Sequence, residues 1–290
     1  MNHSTPSLSI VLPCLNEALN LVALLPKLKQ AQPHAEILVV DDGSTDDSAK
    51  ICQQHGIRVV SHPHPLGNGA AIKAGAREAQ GDIIVFMDAD GQHQPDDIQR
   101  LLNKLDEGYD MVVGARQSHT HASTKRLIGN TLFNKLASLM TGHKIDDLTS
   151  GFRAVRAKHF KKFLYLLPNG FSYPTTSTMA FFRSALPVSY IPIQAGKRDG
   201  KSKIKIIKDG LRFFIIILKI GALFSPMRLF LPISAVFFLI GLINHISTYI
   251  TSNGFSKGSL LMYVGGIFIF LMGILSEQIS SLHYRNTDKE

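Results

Sequence analysis

Two carboxylates stand one residue apart at the end of an apolar run, in the segment IIVFMDADGQHQPDD at residues 83–97. A run that is apolar on both faces is typical of a strand inside a parallel sheet. Ligands bind beyond the carboxyl ends of such strands, and alternate residues of an extended segment share a face. The pattern predicts that Asp88 and Asp90 point into one crevice. Their hard oxygens suit Mg²⁺ or Mn²⁺, which in turn binds the phosphates of a substrate.

A second strand end carries the same chemistry. Residues 38–44 read LVVDDGS, an apolar run that ends on Asp41 and Asp42. A lone D-x-D tripeptide is most simply an acidic turn with a helix cap. Two acidic strand ends in one chain instead favour a site for a nucleoside diphosphate.

Alternating strand and helix patterns in the first half of the chain must position these carboxylates. Besides the run before Asp88, strands are predicted at 8–12, 36–40, 57–61 and 111–114, and helices at 19–30, 68–80, 95–107 and from a Ser44 or Thr45 cap to Gly56. This βαβ alternation predicts an α/β fold, a three-layer domain with a mainly parallel sheet.

The positions of the glycines exclude two other nucleotide-binding folds. A dinucleotide-binding fingerprint needs G-x-G-x-x-G directly after the first strand, where residues 13–17 read PCLNE. The later Gly67 and Gly69 follow the third strand, and Ile72 occupies the place of the third glycine. A P-loop motif is also absent.

The carboxyl-terminal part of the chain predicts a membrane hairpin. Residues 229–250 and 260–282 are each long and apolar enough to cross a bilayer, and the polar turn TSNGFSKG separates them. Residues 208–228 predict an interfacial helix on the membrane surface, although a third, shorter span remains an alternative for 209–224. The predicted domains are thus a catalytic domain (1–207), this interfacial helix, and a hairpin with a short tail (229–290).

The formal net charge of +9 is concentrated just before this hairpin. The basic residues there are Lys197, Arg198, Lys201, Lys203, Lys205, Lys208, Arg212, Lys219 and Arg228. A basic segment next to a span is expected to face anionic lipid, and the turn carries only Lys257. By the positive-inside rule, the catalytic domain and both termini are predicted to be cytoplasmic. No basic, aromatic-studded surface of a nucleic-acid binder is apparent.

The two cysteines, Cys14 and Cys52, are too few for a disulfide framework or a zinc site, which favours a reducing compartment. The first residues lack the charged start and apolar core of a signal peptide.

Taken together, these segments resemble family 2 glycosyltransferases of the GT-A fold, and most of all the polyprenyl-phosphate glycosyltransferases related to dolichyl-phosphate mannose synthase. The matching motifs are VLPCLNEALN (11–20), VVDDGSTD (39–46), MDADGQHQPDD (87–97), DLTSGFRAV (147–155) and, more weakly, GKRDGKSKI (196–204). The resemblance covers about residues 8–207 in order and spacing.

The resemblance implies roles for individual residues. On the donor side, the nucleoside would be held by Pro13, Leu15, Asn16 and Glu17, while Asp42 would accept a hydrogen bond from the base and Gly43 would let the backbone approach. The metal and diphosphate would be held by Asp88, Asp90 and Gln92. Arg198 and Lys203 would close over the donor phosphates. On the acceptor side, Arg116 and Arg126 would hold a lipid phosphate, with Lys125 as the alternative to Arg126. Asp90, Arg116 and Arg126 are the predicted catalytic residues.

Several of these residues have a structural alternative. Asn16 and Glu17 could cap the following helix, Arg116 could be an ordinary surface arginine, and residues 149–152 could be a plain turn or could line the acceptor pocket. Among the twelve histidines, which show no metal-ligand spacing, only His93 is expected to face the site.

The expected reaction is an inverting, metal-dependent transfer of one sugar from a UDP- or GDP-linked donor to an undecaprenyl or dolichyl phosphate in the membrane. A phosphate acceptor is already anionic, whereas a hydroxyl acceptor, the first alternative, needs a base such as Asp146 or Asp147. Residues 171–184 contain no acidic residue, which favours the phosphate. A processive polysaccharide synthase is disfavoured because the chain has no tryptophan and only two predicted spans.

A non-catalytic membrane adaptor is the alternative from another class, but both carboxylates are intact. The sequence leaves open the sugar, the nucleotide, the lipid chain length, and whether the protein forms a homo-oligomer.

Overall fold

The structure is a computed structural model. It describes residues 7–116, 124–170, 172–194, 196, 219 and 221–285, and for 124–130, 132 and 283–285 it describes the backbone only. The chain divides into two compact units. The first comprises residues 1–137 and 143–202, and the second residues 138–142 and 203–290.

The first unit is built on a seven-stranded sheet of order β3-β2-β1-β4-β6-β5-β7. The strands are β1 (Leu8–Cys14), β2 (Glu36–Asp41), β3 (Arg58–Ser61), β4 (Ile83–Phe86), β5 (Met111–Arg116), β6 (Arg153–Arg156) and β7 (Val188–Ile193). All neighbouring pairs are parallel except those of β6, which runs antiparallel to both β4 and β5. The predicted α/β fold with a mainly parallel sheet is confirmed.

This topology decides which strand ends meet. Because β6 is antiparallel to both of its neighbours, β4 and β5 run in the same direction. The carboxyl ends of β1, β2, β4 and β5 therefore share one edge of the sheet with the amino end of β6. The polar motifs of the sequence follow or precede these ends, so the sheet gathers them at a single edge.

The helices of the first unit are α1 (Ala18–Ala31), α2 (Ser48–Gln54), α3 (Asn68–Glu78), α4 (Asp97–Asp106), α5 (Thr124–Thr141), α6 (Ala157–Lys162) and α7 (Tyr173–Arg183), of which α5 extends into the second unit. In α4, Ile98, Leu101 and Leu105 recur at helical spacing and are buried, which is the apolar stripe of a helix packed on a sheet. In α3, a Cβ at Gly75 would lie only 2.3 Å from a Val11 methyl carbon. The small residue lets α3 lie directly against β1.

Two local predictions were wrong. Neither Ser44 nor Thr45 caps α2, which begins at Ser48. The Asp46 carboxylate accepts hydrogen bonds from the Ser48 amide and hydroxyl instead. The run before Asp88 is also shorter than expected, because β4 ends at Phe86. Asp88 and Asp90 thus belong to the turn after the strand, and the alternation of an extended strand does not aim them.

The second unit contains two long apolar helices, α8 (Pro226–Ser252) and α9 (Lys257–Arg285). By length and composition, Pro226–Ser252 and Lys257–Leu282 could each cross a membrane, and few of their residues are buried inside the protein. The first begins three residues before the predicted span. The predicted interfacial helix falls mostly on residues outside the described part of the chain.

Small and polar residues join the two long helices. A Cβ at Gly241 would lie 3.0 Å from the Tyr263 ring, and one at Gly266 would lie 2.8 Å from the Phe238 ring. The Ser234 hydroxyl donates to the Gly266 carbonyl at 2.8 Å. Close backbone approach and serine hydrogen bonds of this kind are typical of helix pairs in lipid.

The second unit also includes the last turn of α5. The Arg228 guanidinium donates to the carbonyls of Leu139 and Met140 at 3.2 and 2.8 Å, and the Ser225 hydroxyl donates to Met140 at 2.9 Å. A cation at a helix carboxyl terminus is favourable because it satisfies terminal carbonyls and opposes the helix dipole.

Candidate active site

The turn after β4 carries the two carboxylates of the D-A-D motif. The Asp88 side chain is 37% exposed, and Asp90 is also partly exposed. Gly91, at φ 72°, reverses the chain, and the Gln92 amide then donates to Asp90 Oδ1 at 3.1 Å. The turn therefore presents both carboxylates at the sheet edge, in the place the sequence predicts.

Gln92 ties this turn to the beginning of the GKRDGKSKI motif. Its side-chain Nε2 donates to the Gly196 carbonyl at 3.1 Å, and the Gly196 amide donates to the Gln92 carbonyl at 2.8 Å. Since the NH₂ group of the side chain is used as a donor, its carbonyl oxygen is the atom left to act as a ligand. Arg198 and Lys203, predicted to close over the donor phosphates, lie outside the described residues.

His93 is buried next to Asp88. Its ring stacks on Phe152 with the centroids 4.9 Å apart, and Nε2 lies 3.9 Å from Asp88 Oδ2. Burial lowers the pKa of His93 to about 4, so the imidazole is neutral at physiological pH. Its Nδ1 has no hydrogen-bond partner among the described residues.

Asn16 and Glu17 connect the β1 and β2 edges. Asn16 adopts a left-handed conformation (φ 57°), and its backbone amide donates to the Ser44 hydroxyl. Its side-chain oxygen accepts from the Thr45 amide at 2.8 Å. Glu17 occupies the cap position of α1 but makes no side-chain cap bond. The capping alternative is thus not what these side chains do, and contact of Pro13, Leu15, Asn16 and Glu17 with a nucleoside stays a prediction.

Asp42 is buried and hydrogen-bonded on both oxygens. Oδ1 lies 2.7 Å from His62 Nδ1 and accepts from the Leu66 amide at 2.9 Å, while Oδ2 accepts from the Gly67 amide at 2.8 Å. These bonds tie the loop at 62–67 to the end of β2. Gly43 follows at φ 76°, where a Cβ would meet the His64 backbone at 2.7 Å. Contact of Asp42 with a base stays a prediction.

The amino terminus of α3 is occupied by the protein itself. The amides of Gly69 and Ala70 donate to the carbonyls of Gly170 and Asn169 at 3.1 and 2.8 Å. A Cβ at Gly69 would lie 2.0 Å from the Pro168 carbonyl oxygen. Gly67 and Gly69 let the loop at 168–170 pack against the start of α3, so this helix terminus is covered by the protein itself.

Arg116 is the last residue of β5 and forms a bidentate ion pair with Asp147. Its Nε donates to Oδ2 at 2.8 Å and its Nη2 to Oδ1 at 3.0 Å, while Nη2 also donates to the Thr149 hydroxyl at 2.7 Å. Burial acts to lower the pKa of Arg116, but the pair with Asp147 and the charge of Asp88 raise it. Arg116 is therefore a fixed cation of the site and not an ordinary surface arginine.

The segment at 149–152 approaches Asp88 at Gly151. A Cβ at Gly151 would lie 3.2 Å from both Asp88 Oδ2 and the Tyr173 hydroxyl oxygen. Tyr173 donates to the Gly151 carbonyl at 2.9 Å. The bare backbone at Gly151 thus leaves room directly above Asp88.

Arg153, for which the sequence predicts no role, supports this segment from inside the protein. It is fully buried and donates to the Ser150 carbonyl, and its Nη1 donates to Pro174, Ser177 and Thr178 at 2.8–3.1 Å. A single arginine inside the apolar GFRAV segment was the available signal, because a buried charge needs a dedicated set of partners. The polar residues at 175–178 of α7 are buried for the same reason.

No group of three or more His, Cys, Asp and Glu side chains that could hold a metal occurs in the described part of the chain. Asp88, Asp90 and Gln92 as ligands of a cation stay a prediction; a site with two carboxylates and substrate phosphates is one in which Mg²⁺ is commonly bound. Arg126 lies on α5, but its side chain is outside the described part.

Two family models match separate parts of the chain. Residues 9–164 match the model of "Glycosyl transferase family 2", and residues 225–282 match "GtrB C-terminal hairpin". A curated relative from Proteus mirabilis (strain HI4320), undecaprenyl-phosphate 4-deoxy-4-formamido-L-arabinose transferase, is 27% identical over 95% of this chain and 89% of its own length. The protein of the same name from Klebsiella pneumoniae (strain 342) is 29% identical over 95% and 88%.

Solved structures show the same fold. Glucosyl-3-phosphoglycerate synthase from Mycobacterium tuberculosis, crystallised with Mn²⁺, UDP and phosphoglyceric acid, superposes with a TM-score of 0.61 at 20% identity, over 75% of this chain and 78% of that one. The family match covers more than half of the chain and contains both carboxylate strand ends. The protein belongs to glycosyl transferase family 2.

Proposed function

We propose that this protein transfers a single sugar from a nucleotide-diphosphate sugar to a polyprenyl phosphate at the cytoplasmic face of a membrane. The observation that carries the proposal is the arrangement of charge at one sheet edge. Partly exposed carboxylates after β4 lie within the electrostatic influence of Arg116, a cation fixed at the end of β5. The carboxylates suit a donor diphosphate with its metal, and the Arg116 cation suits an acceptor phosphate.

The donor half would use a divalent cation. Asp88, Asp90 and the Gln92 oxygen would hold it, as hard oxygen ligands of the kind that Mg²⁺ and Mn²⁺ prefer. When bound, it would supply Lewis-acid stabilisation of the departing nucleoside diphosphate. Support comes from the fold neighbour that was crystallised with Mn²⁺ and UDP. Asp42, with Gly43, and the loop at 15–17 would hold the nucleoside beside it.

The acceptor half would hold a phosphate monoester. Its oxygen attacks the anomeric carbon while the bond from that carbon to the diphosphate breaks, so the configuration inverts and no proton has to be removed. Arg116 would position this oxygen and balance its charge, which is the main catalytic requirement of such a step. The relatives named as undecaprenyl-phosphate transferases support a lipid acceptor.

A hydroxyl acceptor would require a carboxylate base, and the structure offers poor candidates. Burial acts to raise the pKa of Asp147, yet the hydrogen bonds and charge of Arg116 outweigh it and hold the pKa below its ordinary value. Asp146 is paired with the exposed Lys144 at 2.8 Å. Helix α7 contributes only uncharged side chains and Arg183.

The distribution of basic residues supports the proposed orientation of the hairpin in the membrane. The basic residues before α8 would face anionic lipid on the cytoplasmic side, and the turn around Lys257 would be outside. A cysteine introduced at Ser256 should then react with an impermeant maleimide in intact cells, whereas one at the exposed Lys144 should react only after permeabilisation. Cys14 and Cys52 are buried and give little background. The reverse labelling pattern would contradict the orientation.

The reaction is tested by incubating membranes that contain the protein with labelled UDP- and GDP-sugars, including a 4-deoxy-4-formamido-L-arabinose donor, and extracting the lipid. We expect label in a polyprenyl phosphate sugar that is labile to mild acid, and none with the Asp90→Ala variant. Label in a hydroxyl-linked glycolipid would support the alternative acceptor. Metal-independent nucleotide binding without turnover across the panel would support an adaptor.

A further inference from the structure

The ion pair between Arg116 and Asp147 joins residues 31 positions apart and engages both oxygens of the carboxylate. Asp147 Oδ2 accepts from the Arg116 backbone amide and Nε at 3.2 and 2.8 Å. Oδ1 accepts from Arg116 Nη2 at 3.0 Å and from the amide and hydroxyl of Thr149, both at 3.1 Å. A carboxylate has about four lone-pair sites, so five hydrogen bonds leave Asp147 saturated.

This saturation excludes Asp147 from direct contact with substrate. Its side chain is only 7% exposed, and each of its oxygens already faces fixed donors. A general base must reach the proton it removes and must have a lone pair to accept it. Asp147 meets neither condition, although it lies beside the residue that we assign to the acceptor phosphate.

The pair leaves one edge of Arg116 for a ligand. Nε and Nη2 are used by Asp147 and Thr149, whereas Nη1 has no hydrogen-bond partner among the described residues. The Arg116 side chain is 30% exposed. A guanidinium whose other donors are fixed offers its remaining N–H groups in one direction only, and a planar fork recognises phosphate by direction.

A second effect concerns the donor carboxylates. The charge of Asp88 acts on Arg116, so an Arg116 side chain released from Asp147 would be drawn toward the negative turn after β4. There it would compete with the metal and lose its orientation toward the acceptor.

We propose, on the basis of the function proposed above, that Asp147 is a positioning residue: with Thr149 it fixes the Arg116 guanidinium so that its Nη1 edge faces the acceptor phosphate and stays apart from Asp88. Asp147 itself touches neither the donor nor the acceptor. Its contribution to acceptor use is therefore expressed entirely through Arg116.

A double-mutant cycle tests this dependence on the full-length protein in mixed micelles. The variants are Arg116→Ala, Asp147→Asn and their combination, with undecaprenyl phosphate as the acceptor probe and UDP or GDP with Mn²⁺ as the donor probe. We expect Asp147→Asn to weaken undecaprenyl phosphate binding about tenfold, the size of a lost charged hydrogen-bond partner. In the Arg116→Ala background the same substitution should have no further effect. Equal, additive losses in both backgrounds would overturn the proposal.

Two further variants separate positioning from folding. Thr149→Val removes the hydroxyl shared by Arg116 and Asp147 without leaving a buried cation unpaired, and should weaken acceptor binding a few-fold without loss of thermal stability. Asp146→Asn, at the exposed neighbouring carboxylate, should change neither. If Thr149→Val leaves acceptor affinity unchanged while Asp147→Asn unfolds the protein, the role is structural and the proposal is wrong.

The pH profile of turnover gives an independent readout, once the donor is known from the panel. A positioning residue leaves the shape of the profile unchanged in Asp147→Asn and mainly raises KM for the lipid. Loss of an acidic limb together with a fall in kcat would identify a base and overturn the proposal. Failure of the proposed function looks different, because the wild-type protein would then bind no undecaprenyl phosphate at all.

Discussion

Two kinds of carboxylate occur at the same edge of the sheet. Asp88 and Asp90 lie in a turn beyond β4 and are partly exposed, whereas Asp42 and Asp147 are buried and have their oxygens occupied by donors of the protein. The first pair is placed to meet a ligand. Asp147 shapes the surroundings in which the ligand is met, and Asp42 both shapes them and is the residue proposed to accept a hydrogen bond from the base. Acidic residues of different motifs at one sheet edge thus have separate uses, which burial and hydrogen bonding distinguish and residue type does not.

The largest effect is expected at the exposed pair. Asp90→Ala should lower transfer by more than about a thousandfold, because a metal contributes several kcal/mol of charge stabilisation and 1.4 kcal/mol is a factor of ten. Thermal stability should stay close to wild type, since a partly exposed side chain at a turn contributes little. Lipid-extraction assays and thermal unfolding measure the two. Unchanged transfer would remove Asp90 from the metal site.

The next largest effect is expected at Arg116, which pairs with the buried Asp147 and is acted on by the charge of the exposed Asp88. Arg116→Ala should lower kcat/KM for the lipid phosphate about a hundredfold, since a charged donor directed at the reacting group is worth a few kcal/mol. Mn²⁺-dependent UDP or GDP binding should change less than threefold. Separate titrations of the nucleotide and of the lipid phosphate measure the two effects. A larger effect on nucleotide binding than on use of the lipid would show that Arg116 acts on the donor.

Substitution of Asp42 should lower stability, because its carboxylate is buried and hydrogen-bonded on both oxygens. Asp42→Asn replaces an acceptor oxygen by an NH₂ group that faces the donors of Leu66 or Gly67. Leaving such groups unsatisfied costs about 1–3 kcal/mol, so the melting temperature should fall and nucleotide binding should weaken with it. If binding weakens with no change in thermal stability, Asp42 acts on the base alone and belongs with the exposed pair.

The sequence predicted the carboxyl-terminal edge of the sheet well because the relevant signals are local. Apolar runs followed by polar residues mark β1, β2, β4 and β5, and parallel strands place such ends together. Their exact ends were less accurate, as with β4, since the strand stops where its pairing with β1 stops.

The partners across the site could not be predicted in the same way. The pairing of Arg116 with Asp147 and the burial of Arg153 depend on β6 entering the sheet between β4 and β5. That strand is only four residues long and reads RAVR, with a charge at each end and no clear alternation. Tertiary packing decides where β6 enters the sheet, and local sequence periodicity carries no information about that packing.

The smallest effect is expected at Gly151, which lies close to the exposed Asp88 and carries no charge. A Cβ there would lie 3.2 Å from Asp88 Oδ2 and from the Tyr173 hydroxyl oxygen, so either group must move by a few tenths of an ångström. Gly151→Ala should weaken Mn²⁺-dependent nucleotide binding a few-fold through displacement of Asp88. Gly170→Ala, where a Cβ meets no atom within 4 Å, is the matched control and should bind normally. Equal binding by both variants would show that the turn after β4 tolerates displacement, and the room above Asp88 would then have no part in holding the donor.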